Sequence, residues 1–242
     1  MKRSSVVRGG KAVYGAAVGI LMLEARFPRV PGDVGNAATW PFPVLYKVVP
    51  GASPERVVRQ RAEGLFDAFA ANARELVGQG ADGIATNCGF LSLFQEGLAA
   101  ACGVPVVTSA LMQAPMIERM LPPGKRVGIL TVSAASLTPP HLQAVGVALD
   151  TPVVGTDGGR EFSRALLGNE LQLDVAQAEV DILAAGDELL RHHPEVGAVL
   201  LECTNMCPYA AALRERLGLP VFDMVSFITW FHGGLVPRRW PT

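Results

Sequence analysis

The chain has no excess of basic charge: 21 lysines and arginines stand against 22 aspartates and glutamates, for a net charge of −1 and a pI near 6.4. Without that excess nothing draws a phosphate backbone, so no nucleic-acid partner is expected. Long apolar runs are missing as well. The uncharged stretch 12–23 holds 12 residues, short of the roughly 18 or more that span a bilayer, so no membrane partner is expected either. Lys2, Arg3, Arg8 and Lys11 precede it as they would in a secretory signal, but no small-x-small cleavage site follows at 24–28. The stretch therefore reads as a buried first strand. Four cysteines in 242 residues are too few for a disulfide framework, which points to a reducing, cytoplasmic setting.

Cofactor signatures are lacking too. No Gly-x-Gly-x-x-Gly follows the first apolar run, and there is neither a phosphate-binding Gly-x-x-x-x-Gly-Lys-Ser/Thr loop nor a Gly-x-Ser-x-Gly elbow. The four lysines, Lys2, Lys11, Lys47 and Lys125, have no setting that suggests a Schiff base. Cys207 lies four residues after Cys203, but the further ligands a zinc site needs are not at suitable spacing. The expectation is chemistry with no cofactor and no metal.

What the sequence does have is alternation. Half of the residues are apolar and 18% are charged, as in a globular chain. Short β-rich runs at 16–23, 44–49, 83–87, 105–109, 126–132, 152–155, 198–202 and 220–225 read as strands. Helical stretches separate them at 54–79, 91–102, 113–120, 161–167, 173–192 and 208–217. Ser53 before Pro54 is a start signal for the first of these. Strands alternating with helices predict an α/β fold of parallel sheets.

The pattern also repeats. Val18-Gly-Ile-Leu21 recurs as Val127-Gly-Ile-Leu130, and Gly103-Val-Pro-Val106 as Gly218-Leu-Pro-Val221. The second pair is offset by 115 residues (218 − 103), and so are Cys88 and Cys203 (203 − 88). Each cysteine closes a strand-like run and precedes one helix. Three matched landmarks predict two similar lobes. In open parallel sheets, ligands bind beyond the carboxyl ends of the strands, which is where both cysteines fall. A helix start should also lower their pKa toward thiolate. Two thiols on opposite sides of one cleft could take a proton from one face of a carbon and return one to the other, inverting a stereocentre. Cys102 reads as a small core residue, His192 and His193 as a helix end, and His141 and His232 as structural.

With these residues in place the chain resembles the aspartate/glutamate racemase superfamily, which includes amino-acid and hydantoin racemases, maleate isomerase and arylmalonate decarboxylase. Leu200-Leu-Glu-Cys-Thr-Asn-Met206 is similar to that superfamily's strand-Cys-Thr segment and makes Cys203 one catalytic cysteine. The first segment, Ala85-Thr-Asn-Cys88, departs from the usual Ala-Cys-Asn-Thr. Letter by letter Thr86 takes the cysteine position; by internal spacing Cys88 pairs with Cys203, and the spacing is favoured. The resemblance implies two pseudo-symmetric Rossmann-like lobes, over 12–112 plus 222–242 and over 113–221, with the active site in the cleft between them. It implies a homodimer or higher homo-oligomer. It also implies a racemase or isomerase acting on a small carboxylic acid such as aspartate or glutamate, or on a hydantoin. The alternatives are a cofactor-free decarboxylase of the arylmalonate type or a maleate isomerase using mainly Cys203, and a binding protein that has lost the chemistry. Substrate contacts carried over from the superfamily are Asn87, Gly89, Thr131, Ser133, Thr204 and Asn205. The Pro- and Gly-rich loop 24–36 adds Arg26, whose guanidinium could grip a carboxylate at two points.

Overall fold

The computed structural model describes Val6 and residues 9–240. Lys2, Arg3 and Arg8, which flank the first apolar run, and Pro241 and Thr242, the end of the first expected lobe, lie outside the described residues. The run itself is a central strand: β1 (Val18–Leu23) is buried along its whole length. It pairs in parallel with β2 (Val44–Val49) on one side and β3 (Gly83–Thr86) on the other, and β3 pairs with β4 (Val106–Val107). A second parallel sheet repeats that arrangement. Its β5 (Arg126–Thr131) lies between β6 (Val153–Gly155) and β7 (Val196–Leu201), and β8 (Val221–Phe222) pairs with β7. The order is β2-β1-β3-β4 in one sheet and β6-β5-β7-β8 in the other. The fold is α/β with two four-stranded parallel sheets, as the alternating pattern predicts.

The repeat is kept residue by residue around the cysteines. Cys88 leads into a 3-10 turn at Gly89–Phe94 and then α2 (Gln95–Cys102); Cys203 leads into one at Thr204–Tyr209 and then α7 (Ala210–Leu217). Both helices stop at a left-handed glycine, Gly103 (φ 69°) and Gly218 (φ 67°), where a side chain would cost backbone strain. The helix that follows each fourth strand crosses to the other half. α3 (Ala114–Met120) brings Glu118 to the Val127 N–H of β5 at 2.8 Å. α8 (Met224–Leu235) lays Phe231 and Leu235 over Gly83 of β3, so close that a Cβ there would meet Phe231 Cζ at 2.6 Å.

Two expectations about helices need correction. The stretch 54–79 is not one helix. It begins as a π-helical turn at Glu55–Arg59, breaks at Arg61, Ala62 and Gly64, all with positive φ, and resumes as α1 (Phe66–Gln79). The break buries Val57, Val58 and Leu65 separately from the α1 face and brings Pro54 and Val58 to the cleft; apolar spacing does not register such a change of direction. The run after Phe222, read as the end of a strand, is instead α8. Its start signal is Asp223, whose carboxylate accepts the Ser226 N–H at 2.7 Å. The remaining helices are the short α4 (Pro139–Gln143), α5 (Phe162–Leu167) and the long amphipathic α6 (Val175–His192). Among the described residues, no helix is long and apolar enough to cross a membrane.

Candidate active site

A narrow cleft opens at the carboxyl ends of both sheets. Leu23 and Val132, each two residues beyond a Val-Gly-Ile-Leu segment, line it from the two central strands. Cys88 and Cys203 line it from the two turns, and the four cysteines of the chain are all free. The turns are tied to each other: the Thr204 hydroxyl donates to the Asn87 carbonyl at 2.6 Å, a buried bond that fixes one turn against the other. Thr86, the alternative to Cys88, is fully buried and donates its hydroxyl to the Thr108 carbonyl at 2.6 Å, away from the cleft lining.

The residue before each cysteine carries the polar difference between the lobes. Asn87 Oδ1 accepts the Leu23 N–H at 2.9 Å, while its Nδ2 is buried without a partner. In the matching place is Glu202. Its Oε2 accepts the Thr131 hydroxyl at 2.8 Å, and its Oε1 is buried without a partner. Gly89 makes room for it, since a Cβ there would stand 2.2 Å from Oε1.

Burial pushes the Cys88 thiol up to about 12, and the neighbouring Glu202 carboxylate pushes in the same direction; a hydrogen bond from the Phe90 amide opposes them. Cys203 is raised well above the ordinary thiol range for the same first two reasons, with Cys88 and Cys207 adding to the effect. The helix-start lowering expected from sequence is thus outweighed: each turn supplies an amide, but loss of water and a buried negative charge count for more. Glu202 is itself pushed up to about 7 by burial, against the pull of the Thr131 hydrogen bond.

The loop after β1 reaches the second turn. The Cys203 thiol donates to Asn205 Oδ1 at 3.6 Å, Asn205 Nδ2 donates to Asp33, and Asp33 Oδ1 accepts from Arg29 at 2.9 Å. Arg29 lies over the Phe27 ring, 4.7 Å from its centre, and both side chains line the cleft.

Of the residues expected from sequence, the structure brings Asn87, Cys88, Gly89, Cys203, Thr204 and Asn205 to one cleft. Thr131 stands behind Glu202, and Ser133 bonds Ser136 at 3.1 Å; neither lines the cleft. Arg26 is exposed, and its backbone N–H donates to Asn169 Oδ1. The guanidinium that faces the cleft is that of Arg29, three residues on. Sequence reasoning passed over Glu202 as well, although one acidic residue closing the apolar run 196–201 was a signal. Among the described residues, no three His, Cys, Asp or Glu side chains are grouped to hold a metal ion.

Two lobes, matched cysteine turns and the strand order of both sheets make up a fold that solved racemase and decarboxylase structures share. The chain aligns with arylmalonate decarboxylase at a TM-score of 0.56 and 16% identity, covering 90% of this chain and 92% of that one. It aligns with a glutamate racemase from Bacillus anthracis at 0.58 and 14%, covering 92% and 85%. No family model matches. Sequence relatives carry a different name. A dimethylsulfoniopropionate lyase from Durusdinium sp. clade D is 27% identical over 91% of this chain and 75% of its own length. Dimethylsulfoniopropionate lyase 5 of Emiliania huxleyi is 28% identical over 96% of this chain, which spans only 48% of that relative.

Proposed function

We propose that the chain is an enzyme that moves a proton at the carbon beside a carboxylate in a small acid. Cys88 and Cys203 are its acid/base pair, no cofactor takes part, and its reaction is a racemisation or isomerisation. The observation that carries this reading is the pairing of two thiols on one cleft from turns that match residue for residue. A thiolate on one side takes the α-proton, and the electron pair of the C–H bond passes into the carboxylate as an enediolate. The thiol on the other side gives its proton to the opposite face. The unpartnered Asn87 Nδ2 and the Arg29 guanidinium are the donors that stabilise the enediolate oxygens.

The relatives favour a second outcome of the same first step. Where the β-carbon carries a leaving group, as in a β-sulfoniopropionate, the electron pair expels it and an acrylate remains. Proton NMR in D2O separates the outcomes across amino acids, hydantoins, malonates and dimethylsulfoniopropionate. Deuterium appearing at the α-carbon with loss of optical rotation is the expected result. Release of dimethyl sulfide would assign the lyase outcome, and release of CO2 the one-cysteine decarboxylase. Folded protein that exchanges no α-proton and releases no product in any of these acids would overturn the reading.

A further inference from the structure

Buried carboxylates elsewhere in the molecule are saturated. Asp181 accepts the Glu161 N–H at 2.6 Å, the Phe162 N–H at 2.9 Å and the Gln177 side-chain amide at 2.9 Å. Asp33 accepts from Arg29, from the Gly35 N–H and from Asn205. Glu202 is the exception. It is fully buried, has one hydrogen bond, from Thr131 to Oε2, and forms no ion pair among the described residues. Its free oxygen belongs to a residue that lines the cleft, and it is packed against Gly89, another cleft residue, where a Cβ would stand 2.2 Å from it. An unpaired carboxylate removed from water is costly, and a structural role would be served as well by the amide present at the matching Asn87.

We propose that Glu202 Oε1 is the receptor for a positively charged group on the substrate, so that the cleft selects zwitterions: an onium or ammonium group against Glu202 and a carboxylate toward Asn87 and Arg29. The inference rests on the reading of the cleft as a site for small carboxylates and adds to it the second charge. It also gives binding a chemical consequence. The Glu202 charge opposes thiolate formation at both cysteines; a cation placed on it offsets that charge, so the substrate itself eases loss of the thiol proton.

Two ligands of equal shape test this directly: 3-(trimethylammonio)propionate, with a cationic head, and 4,4-dimethylpentanoate, with a neutral tert-butyl head, each titrated calorimetrically and checked by proton NMR to be intact afterwards. At about pH 8 the wild-type protein should bind the cationic ligand about tenfold or more tightly than the neutral one. In Glu202→Gln that preference should fall below about threefold, while affinity for the neutral ligand stays within about threefold of wild type. Equal affinities in the wild type, or a preference that survives in Glu202→Gln, would overturn the proposal. If the variant does not fold, the wild type alone decides. Its preference should decline as pH is lowered through about 7, where Glu202 takes up a proton. The charged and titratable groups around it are Cys88, Cys203 and the more distant Arg29, and both thiols titrate far above that range. A preference constant across it would count against Glu202. Failure of both ligands to bind the wild type overturns the zwitterion site, and α-proton exchange then judges the broader reading separately.

Discussion

Asn87 and Glu202 occupy matching places in the two lobes, each one residue before a cysteine and each with one head-group atom bonded to the end of a central strand. In the first lobe the spare atom is an amide donor; in the second it is a carboxylate oxygen. The backbone repeat therefore supplies two thiols in equivalent positions, and the side chains beside them make the cleft unequal from one side to the other. On the proposed reading, a substrate with two different ends takes one orientation in such a cleft and turns a different face to each cysteine.

The sharpest test of that comparison is to remove each thiol in turn. Cys88→Ser and Cys203→Ser should each lower the rate of α-proton exchange by roughly 10²–10⁴-fold, the usual contribution of a positioned acid or base. Near wild-type exchange in Cys88→Ser beside a dead Cys203→Ser would break the equivalence of the lobes and support one-cysteine chemistry.

The next effect is on stability and concerns the lobe that carries the acid. Glu202 has a folded value of about 7 against an ordinary 4.5, so the folded chain holds this proton more tightly than the unfolded one. Its contribution to stability is fully present below 4.5 and declines as pH rises to about 7. By linkage the decline is roughly 3 kcal/mol. Urea unfolding of the wild type and Glu202→Gln at several pH values should show the variant gaining on the wild type across that window. A difference independent of pH would show that Glu202 is not buried as described.

Gly89 sharpens the comparison from the opposite wall. Gly89→Ala puts a methyl group 2.2 Å from Glu202 Oε1 and 2.5 Å from the Glu202 carbonyl oxygen. It should cost about 1–3 kcal/mol of stability, the usual range for overpacking, together with most of the activity. Unfolding and exchange measured on the same preparation check both. The smallest pair of effects separates two arginines of one loop. Arg29→Ala should raise KM about tenfold through loss of a charged hydrogen-bonding group, and Arg26→Ala by less than about threefold. The reverse order would return the carboxylate contact to Arg26.

Much of this was legible in the chain. β1 followed from an uncharged apolar run, the alternation of strands and helices from changes of period, and the pairing of Cys88 with Cys203 from an offset of 115 shared with the two Gly-x-Pro-Val segments. Helix α8 was missed because the residues after Phe222 are apolar and strand-like, and the Asp223–Ser226 cap was the only local signal. The break at 61–64 was missed because Arg61 and Ala62 give no warning of left-handed backbone.

Sequence by itself determined the plan: an α/β chain, duplicated, with a cysteine at the same strand end in each half. Periodicity and spacing are local, and local patterns suffice for that. Only the tertiary structure decided the chemistry of the cleft. It put Arg29 rather than Arg26 at its wall, turned the expected lowering of the thiol pKa into a rise, and left Glu202 buried with a free oxygen. Each of these depends on loss of water and on charges brought together from distant parts of the chain, and no local pattern records either.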